Sequence, residues 1–118
     1  MEKYPISYWY GPPFDVADNE EVIKEIAEAG MTVVEARYNT EINLRVAALA
    51  AKYGMKTSVQ DGRIFDILAG KDGWEQLLEE YVKDYKDVPT LDNYFLQDEP
   101  TEQFFPGLRR VRDKLKEL

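Results

Sequence analysis

The sequence contains neither cysteine nor histidine, and these two absences exclude several kinds of chemistry. Without cysteine, the chain can form no disulfide, no thiol nucleophile and no thiolate metal site. Without histidine, it has no imidazole base, no Ser-His triad and few routes to a zinc site. Catalysis would have to use carboxylates, lysine, tyrosine, hydroxyl groups or a borrowed cofactor. We predict no cofactor and no metal.

Positive charge and long apolar runs are also scarce. Lysine and arginine number 15 against 23 acidic residues, for a formal net charge of -8, which disfavours nucleic acid and membrane partners. No apolar stretch approaches the roughly 20 residues of a membrane span, and the N-terminus lacks the apolar region of a signal peptide. We therefore expect a soluble chain, cytoplasmic as written, although a longer parent protein could be exported.

The sequence does contain enough apolar material for one core. Hydrophobic residues make up 44% and aromatic residues 13% of its 118 residues, which is typical of a folded domain. No linker or low-complexity tract divides the chain. We predict one domain over residues 1–118.

Four strand-like runs alternate with four helical patterns. The predicted strands lie at residues 6–10, 31–38, 55–60 and 93–97. Capping residues then predict helices that begin after Asp18 or Asn19, after Asn39, at Gly73 and at Thr101. We expect the last helix to bury Phe104 or Phe105, Leu108, Val111 and Leu115.

This alternation predicts parallel strand pairing and therefore an α/β fold. Four units in 118 residues average about 30 residues each, which is half of an eightfold βα barrel of about 250 residues. We predict a (βα)4 half-barrel. A small doubly wound sheet is the alternative, but that fold normally uses five strands and no fifth is found.

A half-barrel of four strands leaves backbone groups unpaired at both outer strands. If two copies meet about a two-fold axis, the last strand of each pairs with the first strand of the other. An eight-stranded TIM-like barrel then closes without edges. We therefore expect the chain to be its own partner, in a homodimer through the first and fourth predicted strands.

Ligands of such barrels bind at the carboxyl ends of the strands, and aromatic, carboxylate and amide side chains are concentrated there. The candidates, in strand order, are Tyr8, Trp9 and Tyr10, then Glu35, Arg37, Tyr38 and Asn39, then Gln60, Asp61 and Arg63, and finally Gln97, Asp98 and Glu99. Aromatic rings suit the C–H faces of a sugar, and paired polar groups suit its hydroxyls, so we predict a carbohydrate-binding rim. The alternative is that the rings pack under helices and the charges are merely solvated.

The candidate catalytic residues are Glu99 and Asp98. Glu99 ends an apolar strand and precedes Pro100, which cannot continue the ladder. Partial desolvation and the charge of Asp98 would favour the protonated form of Glu99, as a general acid requires. These carboxylates could equally serve the N-terminus of the last helix. A metal site made from Asp61, Asp98 and Glu99 is conceivable, but no spacing specifies it.

Five segments, at residues 7–13, 26–33, 52–56, 61–64 and 94–100, carry a resemblance that spans nearly the whole chain. They resemble the N-terminal half of glycoside-hydrolase-like (β/α)8 TIM barrels of gut and soil bacteria. The resemblance implies that Glu99 is the acid/base carboxylate, and that Asp98 stands where the clan more often has asparagine. In those relatives the nucleophile comes from a strand of the second half, which this chain lacks.

A glycosidase needs two carboxylates, about 5–5.5 Å apart for retention or about 6.5–9.5 Å for inversion. The chain offers one good candidate, so we expect hydrolysis to be weak or absent and the sugar-binding rim to be inherited. Two other functions remain open. One is a non-catalytic structural or self-assembling half-barrel, natural or engineered, and the other is a doubly wound domain that binds an unrelated small molecule.

Overall fold

The computed structural model describes residues 5–8, 11–98 and 100–118. This part of the chain forms an α/β domain with three strands and five α-helices. In chain order they are α1 (Glu20–Glu28), β1 (Val33–Ala36), α2 (Thr40–Lys52), β2 (Lys56–Val59), α3 (Arg63–Ala69), α4 (Trp74–Tyr85), β3 (Leu91–Tyr94) and α5 (Phe105–Glu117). Short 3-10 turns at Phe14–Val16 and Glu102–Phe104 precede α1 and α5.

Local sequence signals set the ends of α1 and α2, as predicted. The Asn19 Oδ1 atom accepts hydrogen bonds from the first backbone N–H groups of α1, and the Asn39 Oδ1 atom accepts one from Ile42 N in α2. Both side chains satisfy donors that a helix leaves unpaired at its N-terminus. Gly30 follows α1 with a φ of 95°, a left-handed conformation that side chains with a Cβ rarely adopt.

The three strands form a parallel sheet in the order β1-β2-β3. Glu35 pairs with Ser58, and Ser58 pairs with Asn93, so these three residues lie in one row across the sheet. Each strand neighbours the next one along the chain, without the reversal of strand order that defines a doubly wound sheet. Right-handed connections between such strands place their helices on one face of the sheet. The arrangement is consistent with a half-barrel.

The first predicted strand is not formed within residues 5–8, and Trp9 and Tyr10 lie outside the described residues. The segment nevertheless runs beside β1, where Ile6 O accepts hydrogen bonds from Thr32 N at 2.8 Å and Val33 N at 3.1 Å. The remaining bonds use side chains, since Ile6 N donates to Thr32 Oγ1 and Ser7 Oγ donates to Val33 O. Side chains thus supply part of the pairing that backbone groups make in a regular strand.

Two further elements differ from the prediction. The last strand begins two residues earlier, at Leu91, and ends at Tyr94. The connection after Gly62 contains α3, whose Ile64 and Ile67 are fully buried. Their spacing of three residues is a helical signal, but two apolar positions are too few to predict a helix.

The core lies between the sheet and the helices. It contains Ile23 of α1, strand residues such as Val34 and Val59, and Tyr81 and Tyr85 of α4. In α5 only Val111 is fully buried, whereas Phe104 and Phe105 are 44% and 51% exposed. The expectation that one of these two rings enters the core is therefore wrong. None of the helices in the described residues is long and apolar enough to cross a membrane.

Candidate functional site

The two faces of the sheet differ in character at the carboxyl ends of the strands. Successive strand residues point to opposite faces, so the side chains that flank Ala36 and Val59 lie on the face opposite to the core. We call this side of the sheet the polar face. Its residues are Glu35, Arg37, Ser58, Gln60, Asn93 and Phe95.

Glu35 and Arg37 form the charged centre of the polar face. The Glu35 Oε1 atom accepts a hydrogen bond from Ser7 Oγ at 2.6 Å, and the Oε2 atom lies 3.0 Å from Arg37 Nη2. Their side chains are 11% and 23% exposed. The Arg37 guanidinium lies 3.8 Å from the centre of the Phe95 ring. This ion pair is therefore fixed in position while part of it remains accessible to a ligand.

Amide and hydroxyl groups continue the polar face across β2 and β3. Gln60 Nε2 donates to Leu96 O at 3.2 Å, and Ser58 Oγ donates to Asn93 Oδ1 at 2.7 Å. Ser58 is buried, whereas Asn93 is exposed. The sheet thus presents amide donors and acceptors beside the charged pair.

Asp61 belongs to a different cluster, on the helix side of the sheet. Its carboxylate is only 5% exposed and accepts hydrogen bonds from Arg63 and from the Tyr85 hydroxyl, the latter at 2.6 Å. Asn43 Nδ2 donates to the Tyr85 hydroxyl and to Gln60 O, and Asp61 N donates to the Tyr81 hydroxyl. We call these five side chains the Asp61 cluster. It joins the end of β2 to α2 and α4.

The environment of the Asp61 cluster shifts its titration. Burial raises the pKa of Asp61, but hydrogen bonds from Arg63 and Tyr85 outweigh this effect, so the pKa lies below its ordinary value. Burial and the hydrogen bond to Asp61 raise the pKa of Tyr85 to about 12. The carboxylate and the phenol therefore stay in the forms that their hydrogen bond requires, which suits a structural role.

Several other predicted ligand residues use their polar atoms within the fold. The Tyr8 hydroxyl accepts a hydrogen bond from Glu35 N at 2.9 Å, and burial raises the Tyr8 pKa to about 12. The Tyr38 hydroxyl donates to Pro12 O, and Asn39 caps α2. Tyr8 and Tyr38 also pack against the core, and the role of these three residues toward a ligand stays a prediction.

The predicted catalytic pair is only partly described. Asp98 is exposed and Gln97 is half-buried after the end of β3, whereas Glu99 lies outside the described residues, as do Trp9 and Tyr10. Within the described ranges, no group of three or more acidic side chains is gathered as a metal ion would require. The roles of Asp98 and Glu99 stay predictions.

The sequence predicts Glu35, Arg37 and Gln60 at strand ends, and the structure brings these three together. It also adds Ser7, Ser58, Asn93 and Phe95, which were not singled out. The period of two along β2 and β3 could have assigned Ser58 and Asn93 to this face. The contact of Ser7 with Glu35 spans 28 residues and has no local signal.

Another groove lies elsewhere, on the outer surface between α4 and α5. It has a volume of about 800 Å3, and Trp74, Phe105 and Arg110 are among its lining residues. Comparison of the sequence with protein families and with curated proteins finds no match.

Proposed function

We propose that the chain is a half-barrel, and that two copies close into an eight-stranded barrel with a carbohydrate-binding mouth. The sequential order β1-β2-β3 supports closure, because it is the order of neighbouring strands in a βα barrel. Segment 5–8 borders β1 at one end of the sheet. At the other end, no described strand pairs with the outer edge of β3. Pairing of β3 with segment 5–8 of a second copy would satisfy both edges.

The observation that carries the ligand class is the Glu35–Arg37 ion pair held against Phe95 and beside Gln60. In βα barrels the ligand binds at the carboxyl ends of the strands, where this group lies. Carboxylate, guanidinium and amide groups can bind adjacent sugar hydroxyls, and an aromatic ring can meet the C–H face of the sugar. These groups together favour a neutral, hydroxyl-rich ligand over an anion, since the Arg37 charge is already balanced by Glu35.

Hydrolysis by this chain is weak or absent in our proposal. The described residues of the polar face include one carboxylate, Glu35, whereas a glycosidase needs two. Glu99 remains the proposed acid/base carboxylate, with Asp98 beside it, by the resemblance of residues 94–100 to the glycoside-hydrolase-like barrels. The second carboxylate would have to come from the other half of the barrel.

Closure of two copies into one barrel predicts the molecular mass of the protein in solution. At micromolar concentration, light scattering should give about twice the 13.7 kDa of one chain. The reason is that a monomer would expose one edge of β3 and one side of segment 5–8 to water. A well-folded monomer at this concentration would contradict the homodimer and leave a small-molecule-binding monomer as the better hypothesis.

The polar face predicts the binding of a sugar. We expect saturation-transfer NMR with a panel of neutral oligosaccharides to identify a ligand. Glu35→Gln should weaken the affinity of the chain for this oligosaccharide about tenfold, because the substitution removes one charge-assisted hydrogen bond. The matched control is Glu80→Gln, which removes the same charge from the exposed surface of α4.

Both variants should keep the mass and circular dichroism of the original chain, so that a change in affinity reports on the site. Binding by Glu35→Gln that equals binding by Glu80→Gln would exclude the polar face as the site. If the dimer forms but no oligosaccharide binds, the structural half-barrel is the correct interpretation. Turnover of aryl glycosides should be weak or absent in the same preparations.

A further inference from the structure

The helices α1 and α5 lie at opposite ends of the row of helices, and each is packed on one side. In α1, Glu20 contacts Lys52 at the end of the neighbouring helix α2 and Tyr53, the residue that follows this helix. In α5, Arg110 donates to Leu68 O of α3 and lies over the Trp74 ring of α4. The flanks opposite to these contacts lie on the two outer sides of the row of helices.

The outward flank of α1 is an apolar groove with an acidic border. Val22, Ile26 and Ala29 are spaced by four and three residues, so they form one stripe along the helix. With Tyr8, Pro12 and Met31 they line a groove of about 400 Å3. Glu25 stands at its border, and Glu21 and Glu28 are the exposed residues one turn before and after it.

The outward flank of α5 has matching apolar and basic residues. Leu108, Arg112 and Lys116 follow one another at four residues, on the side of the helix away from Arg110. Phe105 lies one turn before Leu108, at the border between this side and the groove of α4 and α5. Phe105 is 51% exposed, although such a large ring is usually covered. Arg112 and Lys116 are exposed on the same stripe.

The charges of the two helices are complementary. The sequence of α1 has four glutamates and one lysine, whereas that of α5 has five basic residues and two acidic ones, in a chain of net charge -8. Glu25 and Glu28 take part in none of the ion pairs found between described residues. Lys116 likewise has no such pair, and Arg112 pairs only with the adjacent Asp113. These charges are available for a contact outside the chain.

We propose that α5 of one copy packs beside α1 of a second copy, with Phe105 and Leu108 over the groove and Arg112 and Lys116 facing Glu25 and Glu28. This inference rests on the homodimer of the proposed function and names the helices that join it. A two-fold axis makes the contact twice, and neighbouring helices of a βα barrel run parallel. The apolar stripe supplies affinity, and the charges select the partner.

The test exchanges the charges of the two helices. One variant carries Glu25→Lys with Glu28→Lys, and the other carries Arg112→Glu with Lys116→Glu. Each variant alone faces like charges at both contacts, so its dimer should dissociate about a hundredfold more readily than the original dimer. The control carries Asp72→Lys with Glu80→Lys, which makes the same charge change as the first variant at exposed positions outside α1 and α5, and its dimer should be unaffected.

An equimolar mixture of the two variants should restore dimers that contain one copy of each. In such a heterodimer one contact has the original charges and the other has them reversed, so both are attractive. A chain that carries all four substitutions should again form homodimers. Native mass spectrometry and light scattering measure these species, and circular dichroism reports whether each variant is folded.

The outcomes distinguish a failure of the α1–α5 contact from a failure of the homodimer in the proposed function. If the original chain is a monomer, both are overturned. If it is a dimer and the two variants dimerise as tightly as the control, only the α1–α5 contact is overturned. The contact is also overturned if the folded variants dissociate but neither mixing nor the four-substitution chain restores the dimer.

Discussion

Tyr81→Ala is expected to lower the free energy of unfolding by about 4 kcal/mol, the size typical of removing a large buried ring. The Tyr81 side chain is fully buried and packs edge-on against Tyr85, with ring centres 5.2 Å apart. It also contacts the Tyr94 ring, and the Arg63 guanidinium lies 5.0 Å from its centre. The alanine variant would therefore leave a cavity where β2, β3 and α4 meet. Urea unfolding at one fixed protein concentration measures the loss.

The matched variant is Tyr81→Phe, which keeps the ring and removes only the hydroxyl that accepts from Asp61 N. We expect it to cost about 1 kcal/mol, the usual contribution of one hydrogen bond. A phenylalanine variant as unstable as the alanine variant would show that the hydroxyl, and not ring packing, dominates at this position.

Asp61→Ala is expected to cost about 3 kcal/mol, because it removes one partner of a largely buried ion pair. The substitution leaves the Arg63 guanidinium beside the core with Asp84 as its remaining carboxylate, and it leaves the Tyr85 hydroxyl without its acceptor. Asp84→Ala is the control, since the Asp84 side chain is 41% exposed and its pair should contribute less than about 1 kcal/mol. Equal losses in the two variants would contradict the structural role of the Asp61 cluster.

The dependence of the unfolding free energy on acidic pH gives an independent test of the stabilising role of Asp61. Its pKa in the folded state lies below the ordinary value of about 3.9, so its stabilisation is complete above that pH and is lost as the pH falls through the folded pKa. The difference in unfolding free energy between the original chain and Asp61→Asn should therefore shrink from about pH 5 to about pH 2. A difference that stays constant over this interval would show that the carboxylate charge is not what stabilises the fold.

For the residues of the polar face, the sequence predicts the position at a strand end but not the face of the sheet on which each side chain lies. Glu35, Arg37, Gln60 and Asp61 could all be placed at strand ends, because each follows or ends a run of strand-forming residues. Neighbouring strand residues point to opposite faces, however, so Gln60 lies on the polar face while Asp61 enters the helix side. The packing of the helices decides which face of the sheet is buried, and no local sequence pattern specifies this packing.

The first strand and the last helix show the same limit in the core. Ile6 and Ser7 have strand-like neighbours, but their hydrogen bonds go partly to side chains of Thr32 and Glu35. Phe104 and Phe105 are apolar, yet both are largely exposed because the inner side of α5 is formed by Val111. Burial is decided by packing against distant elements and not by the polarity of a residue alone.

The sequence by itself determined the local and compositional features of this protein. The absence of cysteine and histidine excluded whole classes of catalysis, the alternation of strands and helices determined an α/β chain, and Asn19 and Asn39 set the starts of two helices. These features depend on composition or on residues a few positions apart. The tertiary structure alone decided that Glu35 joins Ser7 and that Asp61 joins Tyr85, because such contacts exist only once segments more than 20 residues apart have packed together.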